Sequence, residues 1–496
     1  MILYIYLSRM CSFLSPRYLG PVPHPAIGVR MPKIFLEGVL SAFKERNTAG
    51  GLMLSYGRET APQYVIDSKP GVFDITLGHT GVSIKEYILE SVAAARRKGV
   101  VVEIEADHLI IGSSLQAVQR LYEVRKGTSL DEEVIESSME YNRRAIDEAV
   151  GTGYVNTFTV DATSLIDYKV MEYPQEKVRE LFEERVKDGK DLLKRYANKN
   201  FLFSWINGTV YKVSFTESEV MKAVLAFYRN LEVTKQLYSY IERKMNGQPF
   251  GFEIALDEIP VYTGKELALY LDMWRSMEAH VDFIAPYIGF RKREDYTGSL
   301  EELGNRLSFL AAIANGFGCM LSIHSGSGLT PYTGKGEGVY DCVLRSTGGR
   351  VKYKISGIYV ELLLELLANS KDDRRRRVFE KVFDDVRAYI EEQIRQNTSF
   401  ASEGLREKYR LYLEDLKAGK CRERDSRADF FRHYSFIALN LRDESGKRYL
   451  KEMLEKVYEE DKEFKAEVDR EVKALTLRLI DGLNFSNNVQ KIGLKA

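Results

Sequence analysis

The chain is short of several things. It has four cysteines in 496 residues, Cys11, Cys319, Cys342 and Cys421, and no CxxC pair. That excludes a disulfide framework and a zinc-cysteine site, and it suits a reducing cytoplasm, where the protein is expected to work. Net charge is missing too: Lys+Arg and Asp+Glu both number 72, so the formal charge is zero. Without a basic balance there is no electrostatic footprint for nucleic acid or for an anionic membrane. No apolar run is long enough for a membrane helix, and the opening MILYIYLSRMCSFLSPRYL has no leading positive region. No GxGxxG follows an early strand, so dinucleotide binding has no support. What remains is a neutral enzyme acting on a small molecule, with a homo-oligomer left open.

Length allows one large domain with an appended part. Residues 1–30 read as an extension: PVPHPAIGVR looks like an extended, structureless strip, and translation is expected to start at Met31. After that, strands alternate with helices. Candidate strands lie at 51–56, 72–77, 100–111, 156–161, 251–256, 281–288, 320–324 and 351–356. Helices are expected at 83–98, 175–199, 264–279 and 300–317, with a hairpin-like insertion at 201–215 before a long helix at 217–245. Eight strand-helix repeats predict a (β/α)8 TIM-type barrel over 31–370. Beyond it, 371–496 reads as an appended C-terminal helical region packed on the barrel, with charges at helical spacing. The arginine run at 374–377 is flanked by acids and reads as a solvated helix start.

In such barrels the chemistry sits where strands finish. The stretch VVVEIEADHLIIG, 100–112, ends in Asp107 and His108, with Glu103 and Glu105 on the Asp107 face by alternation. Asp beside His suits metal catalysis, since the imidazole holds an ion while the carboxylate moves a proton. Other strand ends present His79, Asp161, then Glu253, Asp257 and Glu258, then His324, then Lys354. The chain has six histidines. Three of them fall at these ends, and His108 and His324 make the best pair of metal ligands for Zn, Mn, Co, Ni or Fe. Ser325, Gly326 and Ser327 offer backbone N–H groups and hydroxyls to an anion, with Lys354 and Arg291 as cations near it. His280 and His433 are given no chemistry.

Several segments then become familiar. FEIALDE, IAPYIGF, AAIANGFGCMLSIHSGSG and STGGRVKYKISG resemble the tagaturonate/fructuronate epimerase family, metal-dependent C4 epimerases of ketohexuronates. SRADFFRHYSFIALN resembles that family's tail, and EADH is similar to the Asp-His pair of class II aldolases. The likeness runs from about Gly71 and is patchy between 127 and 247. It implies a divalent metal cofactor, Asp107 as proton acceptor, Glu253 as opposing proton donor, and His108 and His324 as ligands. There are two departures. Arg291 stands where a neutral ligand is expected, which implies either a third ligand from Glu258 or His79 or a shifted metal affinity or substrate, and LTPYTGKGEGVYD differs from the usual segment. His79, Asp257, Glu258, Arg291, Ser325, Gly326, Ser327 and Lys354 are the candidate substrate contacts.

The substrate class constrains the mechanism. C4 of a 2-ketohexuronate is not α to the ketone, so simple deprotonation does not invert it. Transient oxidation or retro-aldol cleavage of C3–C4 does, and the missing dinucleotide fingerprint favours the second. An aldolase or isomerase on another sugar or sugar acid is the alternative enzyme. A non-catalytic barrel subunit is the third reading, kept open by Arg291.

Overall fold

A computed structural model describes residues 16–112, 130–257 and 264–492. Cys11 and Glu258 fall outside them. Eight parallel strands close into a barrel: β1 (His24–Gly28), β2 (Gly50–Ser55), β3 (Val102–Ile110), β4 (Thr157–Asp161), β7 (Gly251–Leu256), β8 (Phe283–Pro286), β9 (Met320–Ile323) and β10 (Val351–Ile355). The order around the barrel is β1-β10-β9-β8-β7-β4-β3-β2, with helices between, as the (β/α)8 expectation required. Strands β5 (Asn200–Ser204) and β6 (Val210–Ser214) form the antiparallel insertion. No helix among the described residues is long and apolar enough to cross a membrane.

The count of eight strands was right through two compensating errors. Residues 72–77 form turns and bends rather than a strand. Gly71 and Gly78 take positive φ, and Asp74 turns the chain by accepting from Thr76 N. The missing strand is β1, inside the strip read as structureless. Pro21, Pro23 and Pro25 hide it from any periodicity, yet Ala26 and Ile27 pair with β10 on one side and β2 on the other. The folded unit therefore begins before Met31, and Arg30 already lines the catalytic end of the barrel.

The C-terminal helices are built onto the barrel. Helix Lys462–Gly482 lies against helix Pro32–Glu45 so closely that a Cβ at Gly38 would sit 2.6 Å from Val472 Cγ1. Asn488 closes the other end: its side chain donates to Pro23 O (3.0 Å) and Ala49 O (2.8 Å) and accepts from Ala49 N (2.7 Å). It stitches the entries of β1 and β2 together.

The barrel interior is ionic where most are aliphatic. Residues of one pleat face, Glu103 and Glu105 on β3, Glu253 on β7, and Lys352 and Lys354 on β10, all point inward and are buried. At the bottom His24 Nε2 lies 3.0 Å from Glu103 Oε1. Lys352 Nζ comes next, 2.8 Å from Glu105, 3.2 Å from Glu253 and 3.3 Å from Glu103. Lys354 Nζ sits above, 2.6 Å from Glu105, 2.7 Å from Asp107 and 2.9 Å from Glu253. Burial works against both ammonium groups, but the carboxylates around them push each well above its ordinary pKa. Charges at this depth persist only as a mutually satisfied set.

Two outcomes follow. A chain beginning at Met31 loses β1 and exposes the edges of β2 and β10, so it should show no cooperative thermal unfolding transition by circular dichroism. Lys352→Met leaves three carboxylates facing one another, and chemical denaturation should read a loss of about 3–5 kcal/mol.

Candidate active site

The site begins with an irregularity in β3. Its register against β4 shifts between Ala106 and Leu109, and His108 takes a left-handed φ of 48°. A regular strand would send consecutive side chains to opposite faces. Here the bulge turns both Asp107 and His108 into the cleft at the strands' C-terminal end. His108 Nδ1–H donates to Asp107 Oδ1 at 2.9 Å, which leaves Nε2 as the atom with a free lone pair.

Across the barrel, His324 follows β9. Its Nε2 lies 2.6 Å from Glu253 Oε1, while Nδ1 is buried, lacks a hydrogen bond, and lies 3.4 Å from Asp257 Oδ1. The His108 and His324 rings are 4.9 Å apart between centroids. One ligand atom from each of His108, Asp257 and His324 falls within 4.8 Å of the others, so these three can hold a metal ion. Each imidazole is backed by a carboxylate, Asp107 or Glu253, the arrangement that orients histidine ligands in metal sites. The electrostatics agree. Burial disfavours a charged imidazole, yet Asp257 and Glu253 raise His324 to about 9. The carboxylates that cause this shift, Asp257 and Glu253, give this part of the cleft the negative charge that a cation site requires.

The remaining sequence candidates divide. Asp257, expected as a substrate contact, joins the candidate ligand group among the described residues; His79 does not, and Glu258 lies outside them. Glu253 is 0% exposed and does not line the cleft, so it is not placed to hand a proton to a substrate; it props His324 from below. Asp107 does line the cleft. Burial would raise its carboxyl, but His108 and Lys354 hold it well below the ordinary value, so it rests ionised. Lys354 touches the cleft with its charge already committed to Glu105, Asp107 and Glu253. Ser325, Gly326 and Ser327 line the wall, and Gly326 has no alternative there: a Cβ would lie 2.2 Å from Tyr353 Cε1.

Arg291 is the clearest correction. Its side chain is 79% exposed, pairs loosely with Glu294, and is not part of the cleft; its neighbours Lys292 and Arg293 are. His79 belongs to the cleft but ends no strand. Its ring packs 4.6 Å from Phe436, and burial, with Arg30, Arg58 and Arg293 nearby, drives it well below its ordinary pKa. It is a neutral wall residue.

Sequence reasoning missed several lining residues, Arg30, Arg58, Glu59, His433 and Phe436 among them. Arg30 lies in the strip taken for an extension, while Arg58 and Glu59 sit in a loop without any periodic signal. His433 and Phe436 reach in from the C-terminal region. Their segment, RHYSF, had been singled out by resemblance, and that signal went unused. The divergent LTPYTGKGEGVYD segment contributes Lys335, whose buried Nζ bridges Ser327 O (3.0 Å) and Arg291 O and so ties two cleft loops together. Burial pulls this ammonium down to about 7.

Comparisons with known proteins agree with this architecture. A family model described as UxaE, tagaturonate epimerase, matches residues 141–475, about two thirds of the chain. That span contains Glu253, Asp257, His324 and Lys354, while Asp107 and His108 precede it. No curated protein sequence matches. The glycerol-complexed crystal structure of fructuronate-tagaturonate epimerase UxaE from Cohnella laeviribosi superposes with a TM-score of 0.66 at 18% identity, covering 97% of this chain and 85% of that one. The native crystal structure of the same enzyme gives 0.63 at 18% identity, covering 95% and 84%. At that identity the superpositions establish the fold, and the family match establishes kinship: this chain belongs to the tagaturonate epimerase family and is an isomerase.

Proposed function

We propose that the protein is a divalent-metal-dependent C4 epimerase that interconverts tagaturonate and fructuronate by retro-aldol cleavage and re-addition. The observation that carries this reading is the His108–Asp257–His324 group, open to the cleft, with a carboxylate behind each imidazole. Those three residues would hold the cation, and bound there it would supply positive charge beside a developing enediolate.

The rest falls to the chain itself. Asp107, ionised and facing the cleft, takes the C4 hydroxyl proton as the C3–C4 bond breaks, and returns it after re-addition to the other aldehyde face. Lys354, 2.7 Å from Asp107, fixes that carboxylate and keeps it charged. Glu253 acts through His324, holding Nε2 so that Nδ1 faces the cleft. The strained His108 and Ser325 backbones, both at positive φ, place the donor groups where a relaxed strand end would not. The non-catalytic reading loses its basis, because Arg291 stands outside the cleft.

Purified protein should carry or take up a divalent ion by elemental analysis, and chelation should abolish epimerisation of tagaturonate followed by NMR. Glu253→Gln should weaken metal affinity about 10- to 100-fold in a chelator competition, independently of any turnover. Asp107→Asn should lower kcat about 100- to 10,000-fold when assayed at saturating divalent metal. Full activity in that variant removes the proposed base.

A further inference from the structure

A group of arginines in the same cleft has no part in the mechanism so far. Arg30, Arg58 and Arg293 all line it, all act electrostatically on His79, and come from three different segments. Arg30 and Arg293 converge: a Cβ at Gly357 would lie 3.5 Å from Arg30 Cζ and 2.7 Å from Arg293 Nη2. Gly357 opens helix Ile358–Ala368, whose dipole adds positive potential at that point. Arg30 is paired with Glu59 at 2.5 Å. Arg293 shares a single carboxylate, Glu361, with Arg432, at 3.4 and 2.9 Å. Arg58 donates to Ser55 Oγ and pairs with no carboxylate among the described residues, although it is 8% exposed.

Beside Arg58, which meets no carboxylate among the described residues, polar atoms are left unmet: Arg293 Nη1 and His79 Nδ1 are buried without hydrogen-bond partners. Cations held this deep want an anion. The planar guanidinium fork matches a carboxylate in two parallel hydrogen bonds.

We infer that this arginine-lined part of the cleft is the binding site for the substrate's carboxylate, with Arg58 as its principal anchor. The inference rests on the proposed ketohexuronate reading and adds to it the end of the substrate that confers specificity. In a 2-ketohexuronate the carboxylate is C6, remote from the ketone. Retro-aldol cleavage moves the C4 hydroxyl proton to a base, turns C4–O into a carbonyl and leaves the C3–C4 pair on the enediolate. The three-carbon aldehyde released at C4 still bears that carboxylate. Arg58 keeps the fragment in the cleft while it turns its other face toward the enediolate.

The test is Arg58→Ala assayed with tagaturonate, beside Arg291→Gln, which removes an equal charge from outside the cleft. Arg58→Ala should raise KM about 30-fold, the scale of a lost charged hydrogen bond, and leave Arg291→Gln at the wild-type value. Guanidinium chloride at millimolar concentration should restore part of the Arg58→Ala activity, which it does not do for a misfolded variant. An unchanged KM, or an activity loss without a KM rise and without guanidinium rescue, overturns the assignment. Wild-type protein that epimerises no ketohexuronate refutes the proposed function instead. Calorimetric binding of tagaturonate to wild type and Arg58→Ala then decides the anchor separately: weaker binding by the variant upholds it, and equal binding ends it.

Discussion

One buried ammonium group organises the molecule. Lys354 reaches up the barrel axis to three carboxylates from two other strands, Glu105 and Asp107 on β3 and Glu253 on β7. Each of those carboxylates has a second task. Glu105 anchors Lys352 below, Asp107 holds His108, and Glu253 holds His324. The candidate metal-ligand group is thus the upper surface of a charge network that runs through the barrel to His24. Under the proposed mechanism, stability and catalysis share the same side chains. The network's alternating signs let charges sit where an aliphatic barrel would have Val and Leu.

Much of this was legible from sequence, for identifiable reasons. Strands β3, β7, β9 and β10 carry short β-rich runs that end in ionisable residues, so their ends and their inward faces could be read directly. Alternation puts Glu105 on the Asp107 face, where the structure pairs it with Lys354. What alternation does not encode is a bulge: it would put Asp107 and His108 on opposite faces, and only the register shift in β3 brings them together. Nor does it encode depth. Glu253 and Asp257 lie four residues apart, yet the first is sealed under His324 and the second meets it in the cleft. Sequence reasoning gave Glu253 the proton transfer and Asp257 a substrate contact because nothing local distinguishes a residue within a strand from one just past its end.

The other failures mostly concern residues outside long periodic elements. Arg30, Arg58 and His79 sit in loops or turns and His433 in the short helix Asp429–Tyr434, and their place in the cleft arises from where the fold sends those segments. Arg291 shows the converse. Its position in the chain, one residue from Lys292 and two from Arg293, made it look like a cleft residue, but the turn there points it to solvent and puts its neighbours inside. Arg293 takes a positive φ of 61° in doing so. A loop's composition says little about which of its members faces inward.

The closure of the barrel has a temporal side. β1 pairs with β10, so His24 finds its neighbour Lys352 only after more than three hundred further residues exist, and Asn488 must arrive before the β1–β2 entry is stitched. On a ribosome this amounts to on the order of tens of seconds during which the edge of β1 that pairs with β10 waits for its partner. Contacts this far apart in sequence make closure a slow, late event. The three prolines around β1 then acquire a use: a strand preceded by Pro21 and Pro23 and interrupted by Pro25 is a poor template for pairing with another nascent chain. The same residues that conceal the strand from a reader of the sequence keep it from pairing with the wrong neighbour.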